Sequence, residues 1–142
     1  MMTHCGVDLN QAWLHFMEAR ELSQSVDFKI KVTEMGQQIL SALNKLHRVG
    51  YCHWDLKLDN ICFKDGYYYL IDFALAQHIL SGECRGTYRK IKHFKGNSMF
   101  AYIRKYRMHP YASPIDDIES FLYLMCFCMD EFYLPWLNDY IK

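Results

Sequence analysis

Between residues 53 and 60 the chain reads His-Trp-Asp-Leu-Lys-Leu-Asp-Asn, and four side chains in and after this stretch form a set suited to moving a phosphoryl group. Asp55 is a carboxylate that can take the proton of an attacking hydroxyl. Lys57, two residues on, can neutralise charge on the group in transit. Asn60 offers a neutral oxygen of the kind that magnesium, a hard ion with octahedral demands, accepts as a ligand. Twelve residues later Asp72 heads an Asp-Phe-Ala triplet and supplies a second oxygen donor for the same ion.

These groups must be positioned, and the sequence around them says how. Upstream, Phe28, Val32, Met35, Ile39, Leu43 and Leu46 recur at steps of three and four, which predicts a helix over 28–48 with one apolar stripe. Ser25 or Asp27 is placed to cap its start. Lys45, His47 and Arg48 suit its negative end, and Gly50 stops it. Downstream, Asn60-Ile61-Cys62-Phe63 reads as a strand, Lys64-Asp65-Gly66 as a tight turn and Tyr67 to Ile71 as the returning strand. A hairpin of this kind brings Asn60 and Asp72 to one edge, where a single cation can bridge them. Pro114-Ile115-Asp116-Asp117 opens a further helix with acids at its positive end, and Ile118 to Met129 is apolar almost all round, which predicts a fully buried helix. Leu9, Trp13, Leu14, Phe16 and Met17 fit a short amphipathic helix near the N-terminus.

The 142 residues have the length of one domain with a real core, and 51% of them are hydrophobic, so the chain is a packed globular one. Formal charge is zero, which offers nothing in total to a nucleic acid or a membrane surface. The longest apolar run, Phe121 to Met129, is too short to span a bilayer. Of six cysteines, Cys126 and Cys128 lie two apart in a helical run and point to different faces, and the others are scattered. Reduced, mostly buried thiols and a cytoplasmic or nuclear location are expected. From Arg85 to Arg107 there are eight Lys or Arg and no Asp or Glu. A solvated loop is the plain expectation for such a run. An anion-binding groove is the sharper one.

His53 to Asn60 followed by Asp72-Phe73 resembles the catalytic loop and metal-binding motif of protein kinases, H-R-D-x-K-x-x-N and D-F-G. Asp116-Asp117-Ile118-Glu119-Ser120 and Leu134-Pro135-Trp136 are similar to the D-D-L-E-S and L-P-W of the casein kinase I group, and Gly6-Val7-Asp8-Leu9 looks like the segment just after the hinge between kinase lobes. The resemblance implies an α+β fold, a mostly helical kinase C-lobe with a small β-hairpin carrying the metal-binding motif, and residues 1–142 as a partial kinase domain running from the end of the hinge through the buried central helix. It implies Asp55 as catalytic base, Lys57 as phosphate contact, Asn60 and Asp72 as ligands for magnesium and hence for Mg-ATP, and Asp117 as the brace of the catalytic loop. Protein substrates carrying Ser or Thr, acidic or already phosphorylated, are the expected partners; no membrane is implied, and nucleic acid is disfavoured.

Departures from the pattern are equally specific. Trp54 stands where many kinases carry Arg, Ala74 replaces the glycine of D-F-G, and Leu58 replaces a common proline. No Gly-rich loop, strand lysine or partner glutamate of a nucleotide-binding N-lobe is found, so a fragment is expected. The competing expectation is a non-catalytic kinase-like module that binds a protein partner.

Overall fold

The computed structural model describes residues 7–8, 26–79, 99–101, 113–129 and 134–136. The expected helix at 9–17 and nearly all of the basic run 85–107 lie outside the described residues. In chain order the described elements are β1 (Val7–Asp8), α1 (Val26–Arg48), β2 (Tyr51–Cys52), a 3-10 turn (Leu58–Asn60), β3 (Ile61–Lys64), β4 (Tyr67–Leu70), β5 (Gln77–His78) and α2 (Pro114–Met129).

The apolar stripe of α1 is the floor of the core. Val32, Met35, Ile39 and Leu43 are buried within it, while Ile30 and Leu40 on its other faces are exposed. Its end is set by Gly50, whose φ of 86° lies in the left-handed region that glycine enters at no steric cost. There the Gly50 amide donates to the His47 carbonyl (3.0 Å).

Packed across α1, the second helix starts in a half-formed capping box. Pro114 occupies the first turn, where its missing N–H is not needed. The Asp116 carboxylate reaches back to accept the Ser113 amide (2.9 Å). At the crossing Gly36 faces Met125 and Phe121; a Cβ on Gly36 would sit 2.6 Å from the Met125 Cε. Phe121, Leu124 and Cys128 enter the same core as the α1 stripe, together with Leu56, Leu58, Ile61, Phe100 and Leu134.

Full burial of α2 does not hold. Ile115 is 58% exposed and Leu122 54%, and Cys126 and Met129 are exposed with them. Among the described residues one face of this helix meets α1 and β2, and the apolar side chains on the opposite face stay exposed.

The hairpin forms in the expected register, Ile61 opposite Leu70 and Lys64 opposite Tyr67. Its loop residues Asp65 (φ 52°) and Gly66 (φ 83°) are both left-handed, as a two-residue I′ turn requires. Along β4 the side chains alternate: Tyr68 packs on the core, whereas Tyr67 and Tyr69 face out. The strand β1 adds to the free edge of β3, pairing Val7 with Phe63, and β2 pairs with β5 in a separate two-stranded sheet. No helix among the described residues is long and apolar enough to cross a membrane.

Candidate active site

The loop between β2 and the 3-10 turn is held from below by Asp117. Its Oδ2 accepts the His53 amide (2.7 Å) and its Oδ1 the Trp54 amide (2.8 Å). The same Oδ2 lies 2.8 Å from His47 Nε2. One buried carboxylate in the first turn of α2 thus fixes two successive backbone amides and the C-terminal end of α1. Trp54 needs this hold, because its φ of 65° is costly for a bulky residue. Its indole covers Cys52 and Ile79, and Nε1 points at Asp116 Oδ2 at 3.5 Å. The residue that replaces the usual arginine therefore packs inward.

His53 is fully buried. Its Nε2 donates to the carbonyl of Ile71 (3.0 Å), the residue before Asp72, and its ring meets Phe73 edge-on at 5.1 Å. That hydrogen bond places a proton on Nε2, and Nδ1 has no hydrogen-bond partner among the described residues. The loop and the Asp-Phe-Ala triplet are joined a second time where the Ile71 amide donates to the Asn60 carbonyl (2.9 Å).

The four expected side chains fall as follows. Asp55 is buried and forms an ion pair with the half-buried Lys57, Nζ to Oδ2 3.1 Å. Asn60 sits in the 3-10 turn rather than in the strand. Its Nδ2 donates to the Asp55 backbone carbonyl (2.7 Å) and to Asp55 Oδ2 (3.2 Å). Asp55, Lys57 and Asn60 are therefore one connected group. Asp72 is exposed two residues beyond the last paired residue of the hairpin, Leu70, with φ 60°, and its Oδ1 accepts the Ala74 amide (3.2 Å). Replacing the motif's glycine with Ala74 costs no backbone strain here, because the left-handed conformation falls on Asp72 instead.

The sequence reading missed His47 and Cys52. Burial, then the carboxylates of Asp117 and Asp116, push the Cys52 thiol up to about 12. The signal for His47 lay in its place at the end of the stripe helix, where it read as a charge complement to the helix dipole. Its partner is instead 70 residues away in sequence.

Comparison with known proteins shows the family to which the chain belongs. The protein kinase domain family matches residues 10–116. A probable serine/threonine-protein kinase of Dictyostelium discoideum is 32% identical over 110 residues, which cover 72% of this chain and 22% of that protein. A putative casein kinase I of Caenorhabditis elegans is 34% identical over 102 residues, 67% of this chain and 29% of that protein. In three dimensions the chain is similar to vaccinia related kinase 3, with a TM-score of 0.63 and 21% identity over 76% of this chain and 35% of that one. At that identity the structural likeness speaks for the fold. The chain belongs to the protein kinase family, and it spans less than a third of the length of the curated relatives it matches.

Proposed function

We propose that the chain is the catalytic-loop portion of a casein kinase I-like serine/threonine kinase, a C-lobe running from the end of the hinge through the central helix. In this reading Asp55 is the base that orients and deprotonates a Ser or Thr hydroxyl, and Lys57 neutralises the transferred phosphoryl group. The observation that carries it is the Asp55–Lys57–Asn60 cluster, tied by hydrogen bonds to the strand end that bears Asp72. A scaffold has no physical need for that connected set.

Magnesium and ATP fit the residues present. Asn60 has committed its amide nitrogen to Asp55, which leaves Oδ1 as the atom to face a cation, and Asp72 adds an exposed carboxylate at the end of the hairpin. Both are hard oxygen donors. When bound, Mg-ATP supplies the phosphoryl group and the charge that shields it. The chain's own contribution is to hold the hydroxyl and to set the Asp55 carboxylate beside Lys57. The substrates in this reading are proteins, acidic or already phosphorylated, selected through the basic run 85–107.

Residues 1–142 alone should show negligible transfer, because a nucleotide held only from this side is not aligned with the hydroxyl. Joined to a kinase N-lobe, the chain should move radiolabelled phosphate from ATP to an acidic protein, and Asp72→Ala should raise the magnesium needed or abolish transfer. Equal magnesium dependence in both proteins would remove Asp72 from its role.

A second reading, a non-catalytic module that binds a protein partner, is favoured by one feature. Val49, Tyr67, Tyr69 and Phe73 are all exposed along an open groove of ≈ 730 Å³ between α1 and β4. Such a groove suits an apolar polypeptide segment. A well-folded fusion with a partner on this groove and no transfer activity would decide for it.

A further inference from the structure

Against the backbone of His53 and Trp54 the described residues bring together an imidazole, a thiol and a carboxylate. A ring nitrogen of His47, Sγ of Cys52 and a carboxylate oxygen of Asp117 all lie within 4.8 Å of one another. Cys52 and Asp117 are buried, and the His47 side chain is 12% exposed, so the cluster has one open side. The three residues come from three elements, α1, β2 and the first turn of α2.

We propose that His47, Cys52 and Asp117 form a site for a zinc-class divalent cation, which staples α1, β2 and α2 together under the catalytic loop. One nitrogen, one sulfur and one oxygen ligand select an ion of borderline softness over magnesium or calcium, which take oxygen alone. Three protein ligands leave the fourth tetrahedral position to water, which enters beside His47. The arrangement is independent of the Asp55 cluster and of the reading given to it.

The geometry asks for small movements. In a tetrahedral site with arms of about 2.0–2.1 Å the nitrogen and oxygen ligands stand about 3.3 Å apart. His47 Nε2 and Asp117 Oδ2 are now 2.8 Å apart, so the cation needs roughly half an ångström of widening there. The imidazole, at the half-open end of α1, is the part free to give. Asp117 can keep both backbone amides: Oδ1 stays on Trp54, and Oδ2 retains a lone pair for His53 beside the one turned to the metal. The imidazole proton moves from Nε2 to Nδ1, and the thiol proton is released to solvent, one per cation bound. The carboxylates of Asp117 and Asp116 that oppose a bare thiolate become an attraction once a dication sits between them and the sulfur.

Cobalt reports such a site directly. The 142-residue chain, stripped with a chelator, is titrated with cobalt chloride and then with zinc chloride. A thiolate-to-cobalt charge-transfer band should grow to one equivalent and be displaced by zinc. Cys52→Ser should lose the band and bind zinc at least 10-fold more weakly. Zinc should raise the melting temperature of the wild type and leave that of Cys52→Ser where it was. No band, or a band of equal strength in Cys52→Ser, overturns the proposal, since other cysteines would then be the ligands. Should Cys52→Ser fail to fold, X-ray absorption on the zinc-loaded wild type decides: a single sulfur in the first shell supports the site, and none or several refutes it.

Discussion

Asp117→Ala removes one carboxylate and strands two buried backbone amides. The His53 and Trp54 N–H groups, at 2.7 and 2.8 Å from it, belong to buried residues that water cannot reach without opening the loop. Each orphaned donor costs about 1–3 kcal/mol, so the pair costs about 2–6 kcal/mol. The left-handed strain on Trp54, about 1–3 kcal/mol, then has nothing to hold it. Against a typical total of about 5–15 kcal/mol this is a large share. Asp117→Asn should fare little better, because its NH2 must face one of the two amides. Asp116→Ala is the control. It strands one backbone amide, that of Ser113, and loosens a long indole contact, so a smaller loss than that of Asp117→Ala is expected. The assay is urea unfolding with chelator present. With a slope of about 1–3 kcal/mol per molar, Asp117→Ala should lower the midpoint by roughly 1 M or more. A shift under about 0.3 M, or Asp117→Asn matching wild type, would refute the idea that this carboxylate holds the loop.

Phe121→Ala should cost about 3–5 kcal/mol, since the ring is buried at the crossing of α2 with α1, and Phe121→Asp should prevent folding; circular dichroism melts check both. Alkaline pH should destabilise the chain. The Cys52 thiol is held at about 12 in the fold against 9.0 as a free group, and Tyr123, partly buried and donating to Glu119 at 2.6 Å, is held at about 12 against 10.0. Both stabilise the protonated fold, so their contribution is complete below pH 9 and is lost as pH rises toward 12. Cys52→Ala should make the decline between pH 9 and 12 shallower in urea midpoints taken across that range, and an unchanged slope would count against burial of the thiol.

What the sequence made legible was local. The α1 stripe, the Gly50 stop and the Asp65-Gly66 turn each rest on backbone preferences a few residues long, and all three appear where the pattern places them. The hairpin register followed from the turn, and with it the closeness of Asn60 to the strand end bearing Asp72. The rest depended on contacts far apart in the chain. Nothing near His47 in sequence announces Asp117, and Cys52 looks like any apolar strand residue until α2 is laid beside it. The even spread of apolar residues along α2 carried no periodic signal to show which face the core would leave out, so its exposed Leu122 and Cys126 could not be told from buried Leu124 and Cys128. Ala74 stands where the motif has glycine, yet the left-handed residue is Asp72, whose side chain bonds its own turn.

The measurement that bears most directly on the account is phosphoryl transfer with Asp55 changed to Asn. The substitution keeps the size of the side chain and its place between Lys57 and Asn60, and removes its basicity. In a fusion of this chain to a kinase N-lobe, with radiolabelled ATP and an acidic protein bearing Ser and Thr, kcat should fall roughly 10²–10⁴-fold, while the melting temperature and the affinity for Mg-ATP stay near wild type. A loss of less than about tenfold in a well-folded Asp55→Asn fusion would contradict the assignment of Asp55 as the base, and with it the reading of this loop as a phosphoryl-transfer site.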